Sequence, residues 1–375
     1  MVHLNSKRHS FLAVTLLLLS ATGGLSQGPQ NNQRSSRPLQ MLVLGDSISW
    51  GQGLKTQNKT WHHIKVWLQK LTSRTVVERI EARSGAVIER SSLINNLTSS
   101  NQEVNVGQPT LHDQIDNALQ FYSDPSQVEL VLLSACANDV GTRPLLSASS
   151  VGQIDEMVKA KCGAPMEKLL LRTAKVFPSA YVIVTGYYPF FSEQTRNDFI
   201  LRGLGRRFFR TQADSDVTMS KRELLASLTL NSKEWYDASN TQIAEAVRKV
   251  DEEIGNNRVA FAKIDFLGAY SFGAPQPRLW EFNRSFFRMA LLFLSFGKVL
   301  LPANDEVRRD RYAGCNELYQ KSKTETSKER RDRQALRLTC RYASLGHPNR
   351  AGALLYADSI TNILRSSGFV ARSSH

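Results

Sequence analysis

The chain has 375 residues, with 48 basic against 34 acidic side chains and a formal net charge of +14. Hydrophobic residues make up 41%, charged residues 22% and aromatic residues 9%, a globular balance that excludes wholesale disorder, collagen-like repeats and low-complexity architecture. The length allows one large domain or two small ones, with ample chain for a buried core.

At the amino terminus Lys7 and Arg8 precede an apolar run from Phe11 to Leu19, followed by small and polar residues. This is the layout of a secretory signal peptide over residues 1–26. The run is about half of the ~20 residues that a membrane span needs. Residues 27–38 are then a polar, disordered leader. The expected location is extracellular, where disulfides persist. Cys136, Cys162, Cys315 and Cys340 lack C-x-x-C spacing, so no zinc cluster is expected. Three pairings exist, and Cys136–Cys162 with Cys315–Cys340, which close short loops, are the first expectation. Asn58, Asn96 and Asn283 open Asn-x-Ser/Thr triplets, which are glycosylation acceptors only if the host glycosylates exported protein.

Short β-rich runs then alternate with helical stretches. Gln40–Leu44 is a continuous apolar strand, and Trp61–Leu71 sets Trp61, Ile64, Trp67, Leu68 and Leu71 on one helical face. Thr75–Ile80 is a second strand, Leu111–Phe121 a helix, and Val128–Ser134 a third strand apolar enough for burial on both faces. Met166–Val176 is helical, Tyr181–Thr185 a fourth strand, Thr241–Ile254 helical, and Val259–Ile264 a fifth strand. Ala351–Leu364 closes the alternation as a helix. The economical solution is one parallel sheet of about five strands with helices on both faces. Two stretches, about 187–239 and 266–339, interrupt it and predict extra helices or a lid. The second contains Phe286–Leu301, expected as a buried or substrate-facing helix rather than a bilayer span. Its aromatic density, with Tyr270, Phe272, Leu279, Trp280 and Phe282, reads either as core or as an acyl groove.

In such sheets chemistry sits beyond the carboxyl ends of the strands. The first strand runs directly into Gly45-Asp46-Ser47. A serine hydroxyl is a poor nucleophile until a base accepts its proton. Among the seven histidines, His347 is the plausible base, in the turn Gly346-His347-Pro348-Asn349 before the closing helix. There is no H-E-x-x-H, no Walker loop and no G-x-G-x-x-G after a strand, so no metal or cofactor is indicated. Gly24-Leu25-Ser26-Gln27-Gly28 matches a nucleophile elbow by pattern, but follows no sheet strand.

Taken together the blocks resemble the SGNH (GDSL-type) esterase and lipase family. Leu44–Gly51 resembles its first block, Ser84-Gly85-Ala86 its second, and Cys136-Ala137-Asn138-Asp139 its third, with Cys136 in place of a glycine. Ser344-Leu345-Gly346-His347-Pro348-Asn349 resembles its fifth, with Ser344 in place of the acid that orients the histidine. The resemblance covers about Met41–Arg365. It implies a three-layer α/β/α, flavodoxin-like sandwich as a single domain over 39–368, with the two interruptions as long helical insertions. It implies Ser47 as nucleophile, His347 as base, and an oxyanion hole from the Ser47 and Gly85 N–H groups and the Asn138 amide. Asp46 and Asp139 brace their loops.

With Ser344 uncharged, His347 is oriented by Ser344, by a main-chain carbonyl, or by a distant acid such as Asp332 or Asp358. The expected activity is a secreted ester hydrolase acting on a lipid, an acetylated polysaccharide or a small ester, as a monomer and without nucleic acid. The rival is a catalytically impaired protein of this fold that binds polysaccharide or an anionic surface. Residues 196–222 hold seven basic and three acidic side chains, and residues 305–350 twelve and seven. Solvated helix faces explain that excess, and peripheral association with an anionic surface is the sharper expectation.

Overall fold

In the computed structural model of the chain, residues 37–90, 99–106, 109–196, 220–255, 257–283, 285, 301–322 and 324–373 are described. The expected signal peptide, the leader up to residue 36, Asn96 and residues 286–300 lie outside the described residues. The apolar runs form the strands β1 (Leu39–Gly45), β2 (Val76–Ile80), β3 (Val128–Ser134), β4 (Tyr181–Thr185) and β5 (Val259–Ala262). Every pairing is parallel, in the order β2-β1-β3-β4-β5. That is the flavodoxin-like order, whose switch point lies between β1 and β3.

The described helices are α1 (Ser47–Trp50), α2 (Thr60–Thr72), α3 (Leu111–Phe121), α4 (Ala137–Val140), α5 (Thr142–Leu145) and α6 (Ile154–Val176). They continue with α7 (Lys221–Ile254), α8 (Arg308–Leu318), α9 (Ser327–Arg341), α10 (Arg350–Ser366) and α11 (Phe369–Ser373). Because successive side chains leave a strand on opposite faces, the sheet builds two cores. Leu42, Leu44, Val131, Leu133, Val182 and Val184 pack with α3, α6 and α7. Met41, Val43, Leu130, Leu132 and Ile183 pack with α2, α10 and α11. The result is the three-layer α/β/α arrangement.

Two helices begin earlier than their sequence pattern suggests. α6 starts at Ile154 rather than Met166 and runs through Pro165. The row Ile154, Val158, Cys162 and Met166 is buried, so packing outweighs the backbone hydrogen bond that the proline removes. α7 starts at Lys221 rather than Thr241. Ser220 and Glu223 form a capping box at its start. Its buried Asn231 and Ser232 serve neighbouring segments. Asn231 donates to the Pro144 and Ser147 carbonyls, and Ser232 accepts from the Phe191 N–H. Residues 221–239 of the first interruption thus belong to one long helix.

Disulfides join Cys136 to Cys162 and Cys315 to Cys340. The first anchors the end of β3 to the middle of α6, and the second joins α8 to α9. Cys136 has φ +118°, a backbone state that side chains with a Cβ resist at a cost of about 1–3 kcal/mol. Replacing Cys136 by glycine relieves that strain while breaking the same bond. The variant Cys136→Gly/Cys162→Ala should therefore exceed Cys136→Ala/Cys162→Ala in stability by about 1–3 kcal/mol, read from urea midpoints. Equal midpoints would show that the backbone at 136 is unstrained.

Candidate active site

β1 ends at Gly45, whose φ is +130°, and a Cβ there would lie 2.5 Å from the Ser134 carbonyl oxygen. Only glycine lets β1 approach β3 this closely. Buried Gln114, on α3, holds the strand end from the other side, accepting from the Gly45 N–H at 2.7 Å and donating to the Gly45 carbonyl at 3.0 Å. The chain then turns at Asp46, which caps α1 by accepting from the Ile48 N–H. The same carboxylate accepts from the Ser134 hydroxyl at 2.6 Å and the Tyr187 hydroxyl at 2.7 Å. Burial pushes its pKa up, and these three hydrogen bonds pull the other way. Asp46 therefore has no free oxygen with which to move a substrate proton.

Ser47 is the first residue of α1. Its Oγ lies 2.7 Å from His347 Nε2, so residues 300 apart in sequence meet. The base turn is held by main-chain bonds to the second interruption. The Trp280 N–H donates to the His347 carbonyl and the Gly346 N–H to the Trp280 carbonyl, while Tyr188 donates its hydroxyl to the Gly346 carbonyl. Asn349 caps α10 and also donates to the carbonyls of Pro277 and Leu279. Phe272, Leu279, Trp280 and Phe282 are buried. The described aromatic residues thus form the core behind the histidine, and only Tyr270 of those singled out is half-buried.

Gly85 follows β2 with φ +80°, and a Cβ there would meet the Asn105 and Val106 backbone within 3 Å. Asn138, in α4, donates to the Ala86 carbonyl at 2.9 Å, which leaves its second amide hydrogen. Asp139 accepts from the Ile88 N–H, a bracing role, and burial pushes its pKa up to about 7. Tyr187 closes the set, accepting from the Ala137 N–H while donating to Asp46. The three loops after β1, β2 and β3 are thereby cross-linked around Ser47. Among the described residues the Ser47 and Gly85 N–H groups have no acceptor.

The histidine lacks the usual second partner. Nδ1 of His347 is buried and makes no hydrogen bond among the described residues. Ser344 does not reach it, because its hydroxyl donates to Asp305 at 2.8 Å. Asp332 and Asp358 are both exposed and make no contact with the ring. Burial, and then the positive charge of Arg311, lower the His347 pKa to about 4, against a weaker opposite pull from the Ser344 and Leu345 carbonyls.

The sequence does not reveal Asp305, Arg311, Glu103, Lys59, Gln114 or Tyr187 as neighbours of this site. Arg311 is wholly buried inside a helix that reads as solvated. The one local hint is Gly51-Gln52-Gly53, a turn tight enough to admit a bulky neighbour. Lys59 lies over the Trp50 ring at 3.0 Å, and burial lowers its pKa to about 7. Asn58 donates its side-chain amide to Glu306. The Asn283 side-chain Oδ1 accepts from the Ser285 N–H. Among the described residues no three His, Cys, Asp or Glu side chains gather as metal ligands.

No family model matches the chain, and no curated protein sequence matches it. Solved structures similar to it include an extracellular lipase from Streptomyces rimosus, 15% identical, covering 65% of this chain and 88% of that one with a TM-score of 0.39. A phospholipase A1 from Streptomyces albidoflavus is 16% identical and covers 66% and 89%, with a TM-score of 0.36. A family two carbohydrate esterase from Clostridium thermocellum is 12% identical and covers 64% and 59%, with a TM-score of 0.33.

Proposed function

We propose that the protein is a secreted ester hydrolase of the SGNH type, in which Ser47 and His347 work as a dyad. The observation that carries this reading is the 2.7 Å contact between His347 Nε2 and Ser47 Oγ, made beside two main-chain N–H groups without acceptors. With the ring proton on Nδ1, Nε2 takes the Ser47 proton as Oγ attacks the ester carbonyl. The tetrahedral oxyanion receives hydrogen bonds from the Ser47 and Gly85 N–H groups and the Asn138 amide. The imidazolium returns its proton to the alkoxide leaving group, giving an acyl-enzyme and an alcohol. Water enters, Nε2 removes its proton, and collapse of the second tetrahedral species releases the acid and restores Ser47.

Substrate is an ester of a lipid, an acetylated polysaccharide or a small alcohol, and the scheme needs no cofactor. The signal-like segment and the two disulfides favour an extracellular protein. Lys328, Arg330 and Arg331 are exposed on α9, a feature that fits peripheral association with an anionic surface. Among the described residues no helix is long and apolar enough to cross a membrane. A single domain, a monomer and glycans at Asn58, Asn96 or Asn283 remain part of the same reading.

One observation favours a second reading, a binding protein with impaired catalysis. The imidazolium formed during acyl transfer would face Arg311 and lack a partner on Nδ1, and an unpaired buried donor costs about 1–3 kcal/mol.

A fluorophosphonate should label Ser47 and Ser47→Ala should abolish both labelling and hydrolysis of p-nitrophenyl acetate. Turnover retained in Ser47→Ala would sink the hydrolase assignment, and folded wild-type protein that resists the label would favour the binder. Removing one oxyanion donor, as in Asn138→Ala, should cut turnover by ~10²–10³ with little change in KM, measured on the same ester. Because His347 is neutral above about 4, activity should persist below neutral pH and fall as pH drops through that value. The folded protein also binds fewer protons at this site than the unfolded chain between 6.5 and about 4, so stability should decline over the same window as pH falls. An acid limb at 6.5 in the pH–rate profile would contradict both.

A further inference from the structure

The buried charges that the acyl-transfer scheme leaves unused form a continuous line behind the dyad. It starts on the nucleophile turn, where Trp50 Nε1 donates to Glu103 Oε1 at 2.8 Å and the Gly53 N–H donates to Oε2 at 3.1 Å. Arg311 Nη1 approaches the same Oε2 at 3.4 Å. The Arg311 guanidinium then forks onto both oxygens of Asp305, and its Nε donates to the Arg341 carbonyl. Asp305 Oδ2 also accepts from the Ser344 hydroxyl at 2.8 Å. Ser344 opens the turn that carries His347, whose own N–H donates to the Ser344 carbonyl.

Arg311 and Ser344 are 0% exposed and Asp305 7%. Burying an ion pair is a poor route to stability, since well-packed apolar groups often serve as well. What the ion pair supplies here is fixed geometry between two particular turns. A Cβ added at Gly53 would lie 2.7 Å from Trp280 Nε1 and 3.1 Å from Asp305 Cβ, so the nucleophile turn is pressed against the same strut. The Glu306 N–H also donates to the Gly53 carbonyl.

We propose that Arg311, with Asp305 and Ser344, is a positioning unit for the turn that carries His347. It holds the base turn against the nucleophile turn from behind and touches neither Ser47 nor the reacting atoms. This rests on the ester-hydrolase reading of the dyad. The charged groups around the ring and the strut are Arg311 from α8, Asp305 from the segment before it, Glu103 from the 99–106 loop and Lys59 from the segment before α2. Of these, Arg311 acts directly on the imidazole, against its protonation. Arginine is suited to the position because its planar fork grips Asp305 at two points while a further N–H meets Glu103.

The test compares wild type with Ser344→Ala, Arg311→Lys and the charge-neutral pair Arg311→Met/Asp305→Leu, each checked for folding by near-UV circular dichroism. Activity on p-nitrophenyl acetate is measured across pH, and the His347 ring is titrated by nitrogen NMR. Ser344→Ala and Arg311→Lys should lower kcat about tenfold or more with KM held within about twofold, as loss of transition-state geometry requires. In the neutral pair the acid limb and the ring titration should both move upward, because the opposing charge is gone. A group with no bearing on the ring would leave both kcat and the limb where they are in every folded variant. Unchanged kcat together with an unchanged limb would overturn the proposal. If wild type neither hydrolyses nor takes a fluorophosphonate, the hydrolase reading fails instead. The ring titration still decides the strut in that case, and an unshifted His347 in the folded neutral pair counts against it.

Discussion

A carboxylate sealed from water at the carboxyl end of the sheet organises the rest of the molecule. Asp46 accepts from the Ile48 N–H, the Ser134 hydroxyl and the Tyr187 hydroxyl. Those donors lie on α1, on the end of β3 and just after β4. Leaving such an oxygen unpaired in the interior costs far more than the hydrogen bonds return. The three chain segments are therefore committed to one arrangement, and that arrangement turns Ser47 toward His347. The switch point between β1 and β3 supplies the crevice, and Asp46 fixes what faces it.

The second buried charge system has a different character. Asp46 is satisfied by uncharged donors from α1, β3 and the segment after β4, whereas Arg311 is held between two carboxylates, Asp305 nearby in the chain and Glu103 far from it. The first sets the position of the nucleophile and the second borders the base. Between them His347 keeps one ring nitrogen on Ser47, and among the described residues the other makes no hydrogen bond. A base in that setting is weak but stays unprotonated, which exchanges driving force in proton transfer for availability at low pH.

The strands and the core helices were legible because their signal is local. β3 and β4 match their apolar runs residue for residue, and α3 carries its own capping box. Ser47 and His347 could be singled out because one lies just after β1 and the other just before the closing helix, whereas Gly85 and Asn138 came only from the resemblance. Cys136 shows how local reading can carry a departure too, because the backbone keeps a positive φ where the resemblance expects glycine. Polar residues buried by tertiary packing were not legible. Nothing in the sequence shows that Asn231 donates to the Ser147 carbonyl or that Ser232 accepts from the Phe191 N–H. Arg311 and Glu103 are 208 positions apart, and charged side chains are ordinarily solvent-facing. No periodicity or spacing marks a residue whose role depends on a partner that distant.

The contact between Ser47 and His347 closes a loop of 300 positions, and this has a temporal meaning. Chain synthesis runs from the amino terminus, so Ser47 and its capping turn exist long before the base is made. The strut is equally late, because Asp305, Arg311 and Ser344 all belong to the last quarter of the chain. Contacts of such long range form slowly and only after much of the core has condensed. On the proposed reading, a nascent or truncated chain would carry Ser47 without the histidine that activates it. Competence of this site is thus a property of the completed fold, which makes reactivity at Ser47 a sensitive report on whether the whole chain has closed.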